Sequence, residues 1–223
     1  NTDVTLYEVT DAKYQKTRHF YDAYLRMINT KRFNSSGVEE TTQAVNYSFD
    51  TNPFDAGFTQ NGQGRLAAVE SKSKNLATGA TMTFIEMFSY TTAGAVTKKR
   101  LRTTTTSTAD LDATFSYDNE GTRTSMKYPD SFDASFNPVT GRTFNYAFDG
   151  MKRLTTMTDV GSGSAWVSGV TYNAAGQWTQ MVTPAGTESR TYNLLNQLTR
   201  ITIPGVIDFE YTFSSTANNG RIT

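Results

Sequence analysis

The chain repeats one phrase eight times: an aromatic residue, a spacer, a second aromatic residue, a short polar turn, a glycine position and an apolar return. The clearest copies are residues 115–124, FSYDNEGTRT, and residues 170–179, VTYNAAGQWT. A sequence period of roughly 20 to 40 residues is typical of an array of supersecondary units. The repeat therefore predicts one array over residues 1–223 rather than an irregular globule.

Each copy of the repeat predicts a β-hairpin. Aromatic residues two apart lie on one face of a strand, because successive side chains alternate across a sheet. Asp118 and Asn173 stand three residues before Gly121 and Gly176, a pattern typical of a type I turn within a bulged hairpin. The second residue after the glycine position is apolar in seven copies, so the return strand is expected to enter a hydrophobic layer. These eight positions are Met27, Leu66, Val96, Arg123, Leu154, Trp178, Leu198 and Ile222.

Some copies depart from the pattern. Leu25, Lys152 and Asn196 stand where glycine is expected. Asparagine tolerates a left-handed backbone, but other side chains lose roughly 1–2 kcal/mol there, so the turns at Leu25 and Lys152 are predicted to change type. In the second copy the insertion Thr51–Gln63 is predicted to bulge out as a longer loop.

These phrases carry a family resemblance. Residues 115–123 (FSYDNEGTR), 21–26 (YDAYLR) and 218–223 (NNGRIT) resemble the Tyr-Asp repeat of the Rhs family, or YD-repeat proteins. That family includes bacterial polymorphic-toxin shells, toxin-complex cocoon components and teneurins. The resemblance covers residues 6–223 and implies a long antiparallel sheet of hairpins that spirals into a hollow barrel or shell. Self-cleaving members carry an Asp-Pro segment, and no Asp-Pro occurs in this chain, so neither autoprotease nor toxin activity is implied.

Composition agrees with an all-β fold, and the resemblance implies that its sheet is continuous and curved or spiralling. Aromatic residues make up 13% and charged residues 19% of the chain, which suits strands better than helices. Residues 12–30 could also be drawn as a helix. The repeat places residues 18–22 and 26–30 there as strands instead.

Charge and composition also restrict the partners. The net charge is zero, so no basic field is present to attract nucleic acid or anionic lipid. No apolar run reaches the roughly 18 residues that a membrane-spanning helix needs. The absence of cysteine excludes disulfides and thiol catalysis. No cofactor is implied.

The ends of the sequence suggest a segment of a larger array. Asn1 is not an initiator residue, and the last copy stops soon after Gly220. Edge strands near residues 6–10 and 210–223 would then expose unpaired backbone groups. We therefore expect neighbouring YD repeats, of the same or another chain, as partners, with end-to-end self-association.

Candidate catalytic residues are few. The single histidine, His19, occupies a slot that holds phenylalanine in other copies, so a ring within the sheet is favoured over a general base. Carboxylate pairs occur at 39–40, 110/112 and 130/133; they could serve glycosidase chemistry, but such pairs are common on solvated loops. The pair Asp110/Asp112 could also contribute to a Ca²⁺ site, yet no ordered run of oxygen ligands surrounds it. We predict no catalytic, cofactor or metal site.

The remaining polar and aromatic features have structural explanations. The turn residues are predicted to cap backbone N–H groups; they are Asp22, Asp118, Asp149, Asn173 and Asn193. The aromatic row could form a sugar or peptide platform, but cross-strand packing in the core is the favoured interpretation. Residues 161–163 and 62–64 are predicted as turns rather than phosphate loops, and the basic cluster Lys98–Arg102 as the exposed face of a strand.

The sequence favours a non-enzymatic structural array, part of a secreted or cell-surface shell that encloses or displays another polypeptide such as a toxin. Two alternatives remain open: an extracellular filament subunit that associates end to end, and a recognition module that binds glycans or a protein through loops such as 51–63. An enzyme is the remote third class.

Overall fold

The computed structural model describes residues 5–75, 77–135 and 137–223. Strands account for 53% of the described residues, which contain one short 3₁₀ turn, Thr41–Gln43, as their only helical element. The all-β, antiparallel prediction is confirmed. The strands are β1 (Thr5–Thr10), β2 (Lys16–Tyr21), β3 (Met27–Phe33), β4 (Val45–Phe49), β5 (Leu66–Lys74), β6 (Thr81–Tyr90), β7 (Val96–Thr104), β8 (Thr108–Tyr117), β9 (Arg123–Lys127), β10 (Ser131–Phe132), β11 (Pro138–Val139), β12 (Thr143–Phe148), β13 (Leu154–Asp159), β14 (Ala165–Val167), β15 (Gly169–Tyr172), β16 (Trp178–Thr183), β17 (Gly186–Tyr192), β18 (Leu198–Ile203) and β19 (Ile207–Glu210).

The chain divides into two compact units, residues 1–115 with 128–141, and residues 116–127 with 142–223. In the first unit β1 to β8 are neighbours in chain order, while β10 and β11 form a separate two-stranded sheet. In the second unit β9, β12, β13 and β14 form one sheet, and β15 to β19 form another. The hydrogen-bonded ladder of the second unit stops after β14 and begins again at β15, so the continuity expected of the sheet is interrupted at that point.

The hairpins have the predicted bulge. In the first copy Tyr21 lies opposite Met27, and the pairing register shifts between Phe20 and Tyr21. The same shift accompanies the pairs Phe49/Leu66, Tyr90/Val96, Phe148/Leu154, Tyr172/Trp178 and Tyr192/Leu198. The second aromatic residue thus faces the apolar return residue across the bulge, and the strand interpretation of residues 12–30 is confirmed.

The turns without glycine keep the same type. Leu25, Lys152 and Asn196 all adopt φ of 60°, in the left-handed region that Gly121 occupies at 80°. The prediction that Leu25 and Lys152 change the turn type is wrong. Four hydrogen bonds made by the capping residue hold each of these turns. At roughly 0.5–1.5 kcal/mol each, they outweigh the roughly 1–2 kcal/mol that a left-handed side chain costs.

The buried core of the first unit lies on the face opposite the aromatic row. Ala68, Ile85 and Met87 pack with Phe58 into one buried cluster. Side chains alternate along β6, so Ile85 and Met87 point away from Phe84 and Phe88. The aromatic rings of the row are mostly half-buried, so their assignment as the main core is corrected here. In the second unit Phe144, which belongs to the aromatic side of β12, is buried.

The insertion 51–63 folds back onto this sheet rather than projecting from it. Phe58 is 9% exposed. The Thr59 hydroxyl donates to the Phe88 carbonyl at 2.8 Å, and the Tyr90 N–H donates to the Gln60 carbonyl at 3.1 Å. The pairing of β5 with β6 ends at Ala68, opposite Met87. Beyond this pair, the loop takes the place of β5 and hydrogen-bonds the backbone of β6. The prediction that it bulges outward is wrong, because its phenylalanines cover the apolar face.

Candidate functional site: interlocked turns and the aromatic face

The repeated turn is a five-residue unit closed by its first side chain. The Asp118 N–H donates to the Thr122 carbonyl at 3.0 Å, and the Gly121 N–H donates to the Asp118 carbonyl at 3.1 Å. Asp118 Oδ1 accepts the N–H groups of Glu120 at 3.0 Å and Thr122 at 2.8 Å. The carboxylate is therefore occupied as a turn cap.

The same double cap recurs throughout the described chain. All five turn residues that the sequence predicts as caps use Oδ1 in this way. Three further caps, at Asp11, Asn34 and Asp133, were not predicted from the repeat. Gly37, three residues after Asn34, was a signal that could have identified that turn. Tyr14 holds the same position after Asp11 with φ of 60°, and no glycine marks it.

These bonds lower the pKa of the capping carboxylates. The Thr122 N–H, with the Lys152 ammonium, lowers the pKa of Asp118 below its ordinary value. The N–H and guanidinium of Arg153 similarly lower the pKa of Asp149. Both groups are therefore anionic at neutral pH, and neither has the raised pKa of a general acid.

In four of the turns the fifth residue matches the chemistry of the cap. Arg153 Nε donates to Asp149 Oδ2 at 2.8 Å, and Arg26 does the same to Asp22 at 2.7 Å. Where the cap is Asn193, its Nδ2 donates to Gln197 Oε1 at 2.8 Å. Asn173 pairs with Gln177 in the same way. In these four turns aspartate is paired with arginine and asparagine with glutamine, so each of these caps has a complementary partner.

The same residues connect one turn to the next. The Arg26 guanidinium donates to both carboxylate oxygens of Asp50, at 3.1 and 2.8 Å. Gln177 Nε2 donates to the Asn196 carbonyl at 2.7 Å, and Gln197 exchanges two hydrogen bonds with Asn218 at 3.0 and 2.7 Å. Consecutive turns are therefore linked side by side along the edge of the array.

Tyrosines of the aromatic row provide a second link between hairpins. The Tyr90 hydroxyl donates to the Leu66 carbonyl at 2.6 Å. Two other second aromatics of the repeat form the same bond, Tyr172 to Leu154 at 2.8 Å and Tyr192 to Trp178 at 3.0 Å. In each case the acceptor is the return residue of the preceding hairpin. Burial raises the pKa of Tyr90, which keeps this hydroxyl a donor.

Arginine side chains cover part of the ring faces in this row. The Arg26 guanidinium carbon lies 4.5 Å from the Phe49 centroid, and that of Arg153 lies 4.4 Å from Tyr172. Arg190 stacks on Trp178 at 3.6 Å. Such contacts stabilise by about 0.5–2 kcal/mol each, so these rings already have a packing role.

The candidate metal residues Asp110 and Asp112 are paired with arginines. Arg100 donates from Nε and Nη2 to both Asp112 oxygens at 2.6 Å, and Arg102 binds Asp110 at 2.7 and 2.8 Å. Arg100 also reaches Asp55 of the insertion at 3.0 Å. The two arginines of the basic cluster and this carboxylate pair therefore form one ion-pair network that fastens the loop. No group of three potential metal ligands occurs in the described ranges.

The other candidate residues are dispersed. His19 Nδ1 lies 3.1 Å from the Thr30 hydroxyl, and its ring stacks on Tyr7. Glu39 pairs with Lys31 at 3.2 Å, whereas the Glu40 carboxylate accepts a bond from Gln43. Asp133 caps a turn, while Asp130 accepts the Gly141 N–H at 2.8 Å. Of these described carboxylates, Glu40 alone lines a groove together with His19.

The aromatic side of the first unit also carries an open groove of about 740 Å³. The groove is lined by His19, Met27, Val45 and Tyr47, together with Glu40, Thr42, Gln43 and residues 72–74. A volume of this size lies within the range of ligand sites.

In the described part of the chain no helix is long and apolar enough to cross a membrane.

Sequence comparisons find no match: no protein-family model and no curated protein corresponds to the chain. Structural comparison finds a similar fold in the crystal structure of TcdB2-TccC3 without its hypervariable C-terminal region. That match has a TM-score of 0.62 at 11% identity and covers 93% of this chain. This chain spans only 10% of the length of that one. TcdB2-TccC3-TEV (13% identity, 90% of this chain and 15% of that one, TM-score 0.25) and a porin-like protein from Bacteroides uniformis (13%, 74% and 96%, TM-score 0.22) superpose too poorly to support an inference.

Proposed function

We propose that the chain is a non-enzymatic structural array of YD hairpins, part of a secreted or cell-surface shell that encloses or displays another polypeptide. The observation that carries this proposal is the repeated link between hairpins, exemplified by Tyr90 to Leu66 and Tyr172 to Leu154. One contact used again at successive repeats builds an extended scaffold rather than a single reaction centre.

Two further observations support a structural role. The carboxylates that could perform chemistry, such as Asp110 and Asp118, are occupied by arginine or by backbone N–H groups. The fold resembles one part of TcdB2-TccC3, in keeping with the Rhs resemblance of the sequence. An enclosed or displayed polypeptide is the partner that this resemblance implies.

The shell proposal can be tested by protease protection. The native protein would be purified from its source cells through an antibody against this chain and digested with a nonspecific protease. We expect a polypeptide without YD repeats to survive digestion until mild acid opens the turns. Equal digestion of all accompanying polypeptides before and after acid would contradict enclosure, while a displayed polypeptide would be cleaved first without loss of the array.

A filament subunit is the alternative supported by the edges of the sheets. Among the described strands, β1 pairs only with β2, and β19 pairs only with β18. Each leaves a row of backbone donors and acceptors open to another chain. Filaments of purified protein in electron micrographs would favour this alternative.

A recognition module is the other alternative, and the groove over the aromatic face is the observation in its favour. The insertion 51–63 is less suited to this role because its own Phe58 is buried. A glycan array would test it with Tyr47→Ala in the groove and Phe209→Ala, an exposed ring outside it, as the matched control. Saturable binding lost only in the first variant would favour recognition.

A further inference from the structure

The chain contains two Asn-Gly dipeptides in different surroundings, Asn61-Gly62 in the insertion and Asn219-Gly220 in the last turn. Glycine after asparagine allows the following backbone nitrogen to approach the side-chain amide, because no Cβ obstructs it. We infer that Asn219 is a site of spontaneous deamidation and that the fold protects Asn61. This inference does not depend on the proposed function.

The reaction needs only water. The Gly220 nitrogen attacks Cγ of Asn219, a C–N bond forms, and the bond from Cγ to Nδ2 breaks. The leaving nitrogen takes up the proton lost by Gly220 and departs as ammonia, which leaves a five-membered succinimide. Water then opens either carbonyl of that ring and yields aspartate or isoaspartate.

The last turn leaves the attacked side-chain amide open, and the Gly220 N–H has one hydrogen bond to lose, to Asn218 Oδ1 at 3.0 Å. Asn219 and Gly220 are both exposed. Asn219 Oδ1 accepts the Arg221 N–H at 3.1 Å, which polarises the carbonyl carbon that is attacked. Within the described residues Nδ2 of Asn219 donates no hydrogen bond, so no protein group retains the leaving nitrogen.

The insertion holds the other dipeptide in place. Asn61 Nδ2 donates to the Tyr90 carbonyl at 2.8 Å, and the Asn61 carbonyl accepts Arg65 Nη1 at 2.7 Å. Gly62 is so closely packed that an added Cβ would lie 2.6 Å from the Asp50 carbonyl oxygen. Attack by Gly62 would therefore require the loop to leave the sheet first.

Deamidation at Asn219 would alter the last hairpin. Gly220 donates to Asn218 Oδ1 at 3.0 Å, and Asn218 exchanges hydrogen bonds with Gln197 of the preceding turn. Isoaspartate adds one carbon to the backbone path and introduces a negative charge beside this link. The outermost hairpin would therefore loosen as the protein ages, while the insertion stays intact.

Peptide mapping by mass spectrometry tests this inference on the full chain, incubated in warm, mildly alkaline buffer. We expect Asn219 to gain the mass of amide-to-acid conversion at least roughly tenfold faster than Asn61, because Asn61 reacts only after local opening. Asn219→Gln, which cannot form the five-membered ring readily, should remove the conversion at this position.

A second incubation in concentrated urea separates the fold from the intrinsic chemistry. There Asn61 and Asn219 should convert at similar rates, because unfolding removes the protection. Equal rates in the folded protein would overturn the inference, as would an unreactive Asn219. A persistently slow Asn61 in urea would show that the fold is not its protection.

Discussion

A left-handed side chain in a turn stores strain that glycine would release. Leu25 has φ of 60° and is 69% exposed, so Leu25→Gly removes little packing. The cost of a left-handed residue, roughly 1–2 kcal/mol, exceeds the entropic cost of glycine, roughly 0.5–1 kcal/mol. We expect the variant to raise the free energy of unfolding by up to about 1 kcal/mol in urea denaturation.

The control for this substitution is Leu194→Gly in the turn after β17. Leu194 is fully exposed and is not among the residues with positive φ. There glycine brings only added freedom to the unfolded chain, so stability should fall by about 0.5–1 kcal/mol. A loss of stability in both variants would contradict the strain at Leu25.

The capping amide of Asn193 contributes to stability through the two N–H groups that it accepts. Asn193→Ala leaves the N–H groups of Leu195 and Gln197 without this acceptor. By analogy with helix caps, the free energy of unfolding should fall by about 0.5–2 kcal/mol. Asn193→Asp is the matched variant, because it keeps Oδ1.

Asp118→Ala should also lower the free energy of unfolding, without loss of partner binding. Loss of binding with the fold unchanged would indicate a ligand role for the turn.

At the scale of the hairpin, sequence is informative because the determinants are local. The repeat predicted strands at residues 18–22 and 26–30, and in the structure Tyr21 opposes Met27 across a bulge. The docking of the insertion could not be predicted, because Phe54 and Phe58 lie in a segment with Pro53 and Gly57 that is typical of a loop. Their burial depends on residues of β5 and β6 that are distant in sequence.

The insertion contributes Phe58 to the buried core of the first unit. Phe58 packs on Ile85 and Met87, so Phe58→Ala should lower the free energy of unfolding by about 3–5 kcal/mol. Hydrogen exchange should also show faster opening of β5 and β6. Phe209→Ala, at an exposed ring, should change stability by no more than about 0.5 kcal/mol. Equal effects of the two substitutions would mean that the loop does not cover the sheet.

Hairpins capped by aspartate should respond to acid differently from those capped by asparagine. The pKa of Asp118 and of Asp149 is lowered in the folded chain, so each carboxylate stabilises the fold above its ordinary pKa. This contribution is lost as the pH falls from about 4 through the lowered folded pKa. Asn173 and Asn193 do not titrate in this range.

Urea midpoints measured against pH test this difference. The wild-type midpoint should be steady near neutrality and fall below about pH 4. In Asp118→Asn the fall should be smaller, because the amide keeps the cap without binding a proton. An identical pH dependence in the two proteins would exclude the carboxylate of this turn as the acid-sensitive group.

At the scale of the whole molecule, the hydrogen bonds between turns join each hairpin to its neighbour. The pattern itself sets no limit to the number of hairpins. Gln177 reaches the carbonyl of Asn196 in the next turn, and Gln197 reaches Asn218 in the one after that. The turn at residues 193–197 therefore accepts a hydrogen bond from the preceding turn and donates one to the following turn. Such nearest-neighbour contacts favour extension by further copies of the same unit.

This periodicity predicts end-to-end association of the chain. β1 and β19 are edge strands of the described residues, and a contact between unlike edges generates a filament if it does not close a ring. Light scattering across a dilution series should show a mass that rises with concentration.

The Tyr211 N–H donates to the Thr199 carbonyl of β18 at 2.8 Å, so by alternation the Glu210 N–H points away from β18. Glu210→Pro should therefore block association without breaking a bond within the sheet, whereas a 24.7 kDa monomer at high concentration of the unmodified chain would exclude the filament.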